Sequence, residues 1–193
     1  MKQMRLGKTG PRVSSICLGC MYFGSKVNEQ TFFRRMDRYV EAGGTFLDTA
    51  DCYAFWIPGH AGDESETTFG RWMEQRRNRE KVYLATKVGA RPPQMGSAPV
   101  ASETEGLSLR VISEAVDGSL RRLKTDHVDL LYTHLPDVSV PLEVTIERLD
   151  RLRRSGKVLN VGCRNEQHLL ENLAAADLRF SPEFFDMMKT PAG

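Results

Sequence analysis

No stretch of this chain approaches the roughly 18 consecutive apolar residues that a membrane span needs, and its opening residues, MKQMRLGKTG, hold no apolar core of signal-peptide length. Both absences argue against a membrane partner and against export, so a cytoplasmic protein is expected. Cysteine is scarce: there are four, at Cys17, Cys20, Cys52 and Cys163. Cys17 and Cys20 make a lone C-x-x-C inside an apolar run, with no second pair and no neighbouring histidine. That argues against a structural zinc site or a disulfide framework and for buried free thiols in a reducing compartment, with no metal. Surplus charge is also small, at a formal +2. The basic groups RRNREK (76–81), RRLK (121–124) and RLRRSGK (151–157) each close a helical pattern, where cations complement the helix dipole. Nucleic acid is therefore not an expected partner. Internal repeats and low-complexity tracts are missing as well.

What the chain does have is the material of one globular domain, residues 1–193, with 40% apolar and 27% charged residues. The segment 5–24 alternates around the turn residues GKTGPR and predicts a small N-terminal β-hairpin. After it, apolar runs and helical patterns take turns. TFLDTA (45–50), VYLATKV (82–88), VDLLYTH (128–134) and VLNVGC (158–163) read as four buried strands. Between them, Phe32, Phe33, Met36, Tyr39 and Val40 share one helical face, as do Phe69, Trp72 and Met73. The same holds for Leu109, Ile112, Val116, Leu120 and Leu123, and for Leu142, Ile146, Leu149 and Leu152. Ser181-Pro182-Glu183 opens a last short helix. The alternation predicts an α/β fold with a parallel sheet and right-handed crossovers. The long loops 54–65 and 89–107 follow strands, at the carboxyl edge where such folds place their chemistry.

Three of the strands end in an ionisable residue: Asp48, Lys87 and His134. In a parallel sheet these ends share one rim, and Tyr53 follows Asp48 by five residues. Singly, each is more often structural than catalytic: an ion pair, or a strand cap. Together they suit proton transfer to a carbonyl. A free tyrosine titrates near pH 10. A lysine ammonium lowers that value, an aspartate keeps the lysine charged, and a neutral histidine donates a hydrogen bond to the substrate oxygen. Side chains supply no hydride, which implies a nicotinamide cofactor.

RLGKTGPRVSSICLGCMYFG, GGTFLDTADCYA, VYLATKVGARP and SLRRLKTDHVDLLYTHLPD, in that order and spacing, closely resemble the aldo-keto reductases over residues 4–163. The resemblance implies a (β/α)8 barrel of TIM type with an N-terminal hairpin closing its bottom, and NADPH-dependent reduction of an aldehyde or ketone to an alcohol. It implies Asp48, Tyr53, Lys87 and His134 as the catalytic four, with Tyr53 the proton donor. Met21 and Phe23 match positions near cofactor and substrate, with core packing as the open alternative. Trp56 and His60 are candidates to line a substrate pocket.

A barrel of this kind takes about 250 residues and rarely fewer than roughly 200. Only four barrel strands are found, so a barrel shortened to about four βα units is expected. The stretch VGCRNEQHLLEN (161–172) has the make-up of a phosphate site, with glycine, then arginine, then the start of a helix. Where the family continues with Ser-Asn, Arg164-Asn165 stand here. Residues 162–193 instead resemble the family's C-terminal end, which implies that Arg164 and His168 face the 2′-phosphate of NADPH and that Glu171 and Asn172 face its adenine. On the order of 100 residues of barrel are then missing between the two parts. Strand edges left open beside the first and fourth strands predict a homo-oligomer. Two functional readings stand: a carbonyl reductase, and a regulatory or relic member of the family that has lost turnover. An unrelated phosphate binder rests on the Arg164 helix alone.

Overall fold

The computed structural model describes residues 1–7, 10–93 and 104–163. Arg164, His168, Glu171 and Asn172, the helix at Ser181, and part of the 89–107 loop lie outside the described residues. Two short strands, β1 (Gln3–Arg5) and β2 (Arg12–Ser14), form an antiparallel hairpin with Met4 opposite Val13. A five-stranded parallel sheet follows, in the order β3 (Cys17–Gly19), β4 (Phe46–Asp48), β5 (Tyr83–Val88), β6 (Val128–Thr133) and β7 (Val158–Cys163). The crossovers are α1 (Glu29–Glu41), α2 (Glu64–Arg76), α3 (Leu109–Leu123) and α4 (Leu142–Arg154). This is an α/β arrangement of TIM-barrel type, with four βα units and a fifth strand.

One strand corrects the sequence reading. Cys17–Gly19 was expected within the hairpin, yet it pairs in parallel with β4, Leu18 opposite Leu47. TFLDTA is thus an interior strand, and the sheet edges among the described residues are β3 and β7. A three-residue strand that ends in glycine and has its first and last residues exposed carries no periodic signal. The two strands flank GKTGPR, as the sequence suggested, and the Leu6 N–H donates to the Pro11 carbonyl at 2.9 Å.

Local chemistry sets the helix limits. Asn28 caps α1 by accepting from the Thr31 N–H at 2.9 Å, and Ser108 caps α3 by accepting from the Val111 N–H at 3.3 Å. The amphipathic faces meet one side of the sheet. There Phe32, Met36, Phe69, Trp72, Ile112, Val116 and Leu123 enclose Leu47, Leu84 and Leu131 in a continuous core. Trp72 is fully buried and donates its ring N–H to Asp37 at 2.9 Å. Gly70 lets α2 approach α3, since a Cβ there would lie 2.1 Å from the carbonyl oxygen of Arg122. The other face of the sheet carries a smaller cluster of Val13, Tyr83, Ala85 and Leu130 with Leu6 and Phe46, so the hairpin packs across the amino ends of the strands. A third cluster, Cys52, Phe55 and Ala90 with Trp56 and Leu135, sits with the loops that leave the carboxyl ends. Among the described residues no helix is long and apolar enough to cross a membrane.

Candidate active site

Parallel pairing brings the carboxyl ends of β4, β5 and β6 to one rim. Asp48 is the last residue of β4, Lys87 the penultimate residue of β5, and His134 the first after β6. The His134 backbone N–H donates to the Val88 carbonyl at 2.9 Å, tying its main chain to the end of β5. Tyr53 comes back over the rim from the turn after β4. The next residue, Ala54, holds φ at +82°, a left-handed conformation that non-glycine residues adopt only under constraint.

Lys87 organises the group. Its ammonium donates to Asp48 Oδ2 at 2.6 Å, to the Tyr53 phenol oxygen at 2.7 Å and to the Thr49 carbonyl at 2.8 Å. An ammonium has three N–H donors, and all three are engaged. Because the phenol oxygen accepts from Lys87, its own O–H is left to donate elsewhere. The His134 ring lies edge-on to Tyr53, with centroids 5.8 Å apart. The four rim residues expected from sequence are therefore together.

One electrostatic expectation needs correction. Lys87 does pull the Tyr53 pKa down, but burial outweighs it, and Asp48 and Cys52 add to the upward push, so the phenol titrates above its ordinary value. Tyr53 thus keeps its proton at neutral pH. What Lys87 supplies is a cation in hydrogen-bond contact with the oxygen from which a proton would leave.

The remaining candidates separate. Met21 is exposed in the turn after β3. Phe23 is buried against Phe32, with ring centroids 4.7 Å apart, and belongs to the core. Trp56 lies edge-on to Tyr53 and to Tyr22, each at 6.4 Å, and so borders the phenol. His60 is turned to Glu64 at 3.3 Å, where it braces the start of α2.

Sequence reasoning passed over a set of buried charges beneath the loops. Glu66, with no exposed surface, accepts from Thr86 at 2.6 Å and from Arg122 at 2.7 Å. Arg91 bonds the Asp63 carboxylate at 2.5 Å and the backbone carbonyl of Asp51. These contacts clamp the start of α2 to β5 and α3, and tie Asp63 to the segment after β5. Asp51 is 1% exposed, and neither of its carboxyl oxygens has a hydrogen-bond partner. Burial, then the nearby Glu105 and Glu66, raise its pKa well above the carboxylate range against the pull of Arg91 and Arg122. The available signal was the pair of acids at 63 and 66, three apart at a helix start.

The sequence profile of the Aldo/keto reductase family matches residues 15–169. The norsolorinic acid reductase StcV of Emericella nidulans is 38% identical over 160 residues, covering 79% of this chain and 40% of that protein. The uncharacterised oxidoreductase YrpG of Bacillus subtilis is 39% identical over 182 residues, covering 93% of this chain and 54% of that protein. Among solved structures, the holo form of the aldo-keto reductase AKR11C1 from Bacillus halodurans superposes with a TM-score of 0.73 at 31% identity, covering 92% of this chain and 55% of that one. The chain thus spans about half the length of the relatives it matches.

Proposed function

The chain belongs to the aldo/keto reductase family, and from that premise we propose that its rim is the proton-donating side of a carbonyl reductase, Tyr53 protonating the oxygen of an aldehyde or ketone as it becomes an alcohol. The contact that carries this reading is the 2.7 Å hydrogen bond from Lys87 to the Tyr53 oxygen, backed by the 2.6 Å pair between Lys87 and Asp48. The positive charge is already in place when the phenol gives up its proton, so no reorganisation is needed at that moment. Asp48 holds the Lys87 ammonium aimed at the phenol. His134, beside the phenol, donates a second hydrogen bond to the same oxygen. Trp56 and Tyr22 form an aromatic wall next to Tyr53, which suits a flat, aromatic carbonyl substrate.

The donor set fits a nicotinamide partner: it holds and delivers a proton and contains nothing that gives a hydride. NADPH, when bound, supplies that hydride. On this reading Met21 and Asp48 border its nicotinamide end, while Arg164 and His168 take the 2′-phosphate and Glu171 and Asn172 the adenine. Free thiols at Cys17, Cys20 and Cys52 suit a reducing cytoplasm.

The test is NADPH oxidation by the purified chain with an aromatic aldehyde, alongside native mass spectra with and without NADPH. Tyr53→Phe is expected to abolish turnover while leaving the fold and any cofactor uptake intact. Unchanged turnover in that variant would overturn the assignment. Uptake of NADPH by the unaltered chain without turnover would favour the regulatory reading.

A further inference from the structure

We propose that Cys52 is a positioning residue for His134: its thiol S–H donates to Nδ1 and so holds the imidazole as the tautomer that carries its proton on Nε2. The two side chains come from different loops, after β4 and after β6, and meet with Sγ 3.7 Å from Nδ1, within reach of a sulfur hydrogen bond. Cys52 is 1% exposed, packed with Phe55, Ala90, Trp56 and Leu135, so water does not compete for its hydrogen.

Which atom donates follows from the chemistry of the three neighbours. Burial in this apolar cluster pushes the Cys52 thiol above its ordinary pKa, so the sulfur keeps its hydrogen and is not an anionic acceptor. Neutral thiol sulfur is a weak acceptor, whereas an unprotonated imidazole nitrogen is a good one. The competing acceptor is the adjacent Asp51 carboxyl. Neither of its oxygens is placed to hydrogen-bond the thiol, whereas Nδ1 is. The S–H therefore points to Nδ1. A neutral imidazole has one N–H, and with Nδ1 accepting, that N–H is Nε2.

The consequence reaches the proposed chemistry without depending on it. The ring is edge-on to Tyr53, with centroids 5.8 Å apart, so the tautomer it holds bears on the surroundings of the phenol. A ring with the opposite tautomer would present a lone pair there and would repel a carbonyl oxygen. Tautomer choice is usually made by a carboxylate or a backbone carbonyl accepting from the ring. Here a thiol donates to it, and the proton is placed on the opposite nitrogen.

The assignment is read directly in the free protein by nitrogen-15 NMR of histidine-labelled chain, through two-bond nitrogen–hydrogen correlations, with His134→Gln identifying the signal. No substrate or cofactor is present, so loss of turnover and loss of the tautomer are separate results. The Nε2-protonated pattern is expected for His134 at neutral pH. Cys52→Ala is expected to lose it to a mixture of tautomers, and Cys52→Ser, which keeps a donor, to restore it. His60 and His127 report in the same spectrum whether the fold has survived. An Nδ1-protonated pattern in the unaltered chain overturns the proposal, whatever the variants do. So does an unchanged His134 pattern in a folded Cys52→Ala protein.

Discussion

At the residue scale, the buried Asp51 carboxyl is the clearest liability in the described structure. Its folded pKa is raised, so its contribution to stability is fully present below about pH 3.9, the unfolded carboxylate value, and is lost as pH rises through the folded value. Asp51→Asn is therefore expected to raise the melting temperature, with an advantage that grows from pH 4 towards neutrality. Each kcal/mol recovered is worth roughly 2–4 °C in a chain of this size. An equal effect at pH 4 and pH 7 would show that the carboxyl is ionised in the fold. The phenols work in the same direction at the alkaline end. Tyr39, Tyr53 and Tyr83 are pushed up, Tyr132 to about 12, all with burial as the leading cause. Groups raised in this way stabilise below their unfolded value near pH 10 and lose that contribution above it. Stability should therefore fall as pH rises above about 10, towards the folded pKa of each phenol. Paired thermal melts and ultraviolet titration of phenolate across that window check it.

At the element scale, the contact between α2 and α3 depends on Gly70. Gly70→Ala places a methyl where the Arg122 carbonyl already is, and the helices must separate. A loss of about 1–3 kcal/mol is expected, read as a lower urea midpoint at unchanged slope. A neutral result would mean that the helices shift freely. The same elements show what the sequence made legible. β5, β6 and β7 were readable because six-residue apolar runs stand out between turn signals. The helices were readable because Phe32 and Met36, or Ile112 and Val116, recur at helical spacing. The rim followed once the sheet was known to be parallel, since Asp48, Lys87 and His134 end their strands. β3 was not legible at three residues. Nor was the charge network around Glu66, because which acids a fold encloses depends on loops crossing from other elements. The net direction of the Tyr53 shift was missed for a related reason: the sequence names Lys87 as a neighbour and is silent on how deeply the ring is buried.

At the scale of the whole molecule, the described sheet leaves β3 and β7 without a further neighbour, and Ile16 and Leu159, at those edges, are large apolar side chains open to solvent. We propose that a second copy covers these edges, because unpaired strand edges flanked by apolar residues favour association. Sedimentation or native mass spectrometry should find a dimer or larger assembly, and Leu159→Lys should shift it towards monomer. A strictly monomeric, stable chain at high concentration would count against it. The placement of the indoles has an optical consequence. Of the two tryptophans in the chain, Trp72 is sealed in the core with its N–H bound to Asp37, and Trp56 stands beside the Tyr53 phenol. The molecule's fluorescence should therefore divide into a blue component, inaccessible to dissolved quenchers, that reports unfolding, and a redder, quenchable one that reports events at the rim.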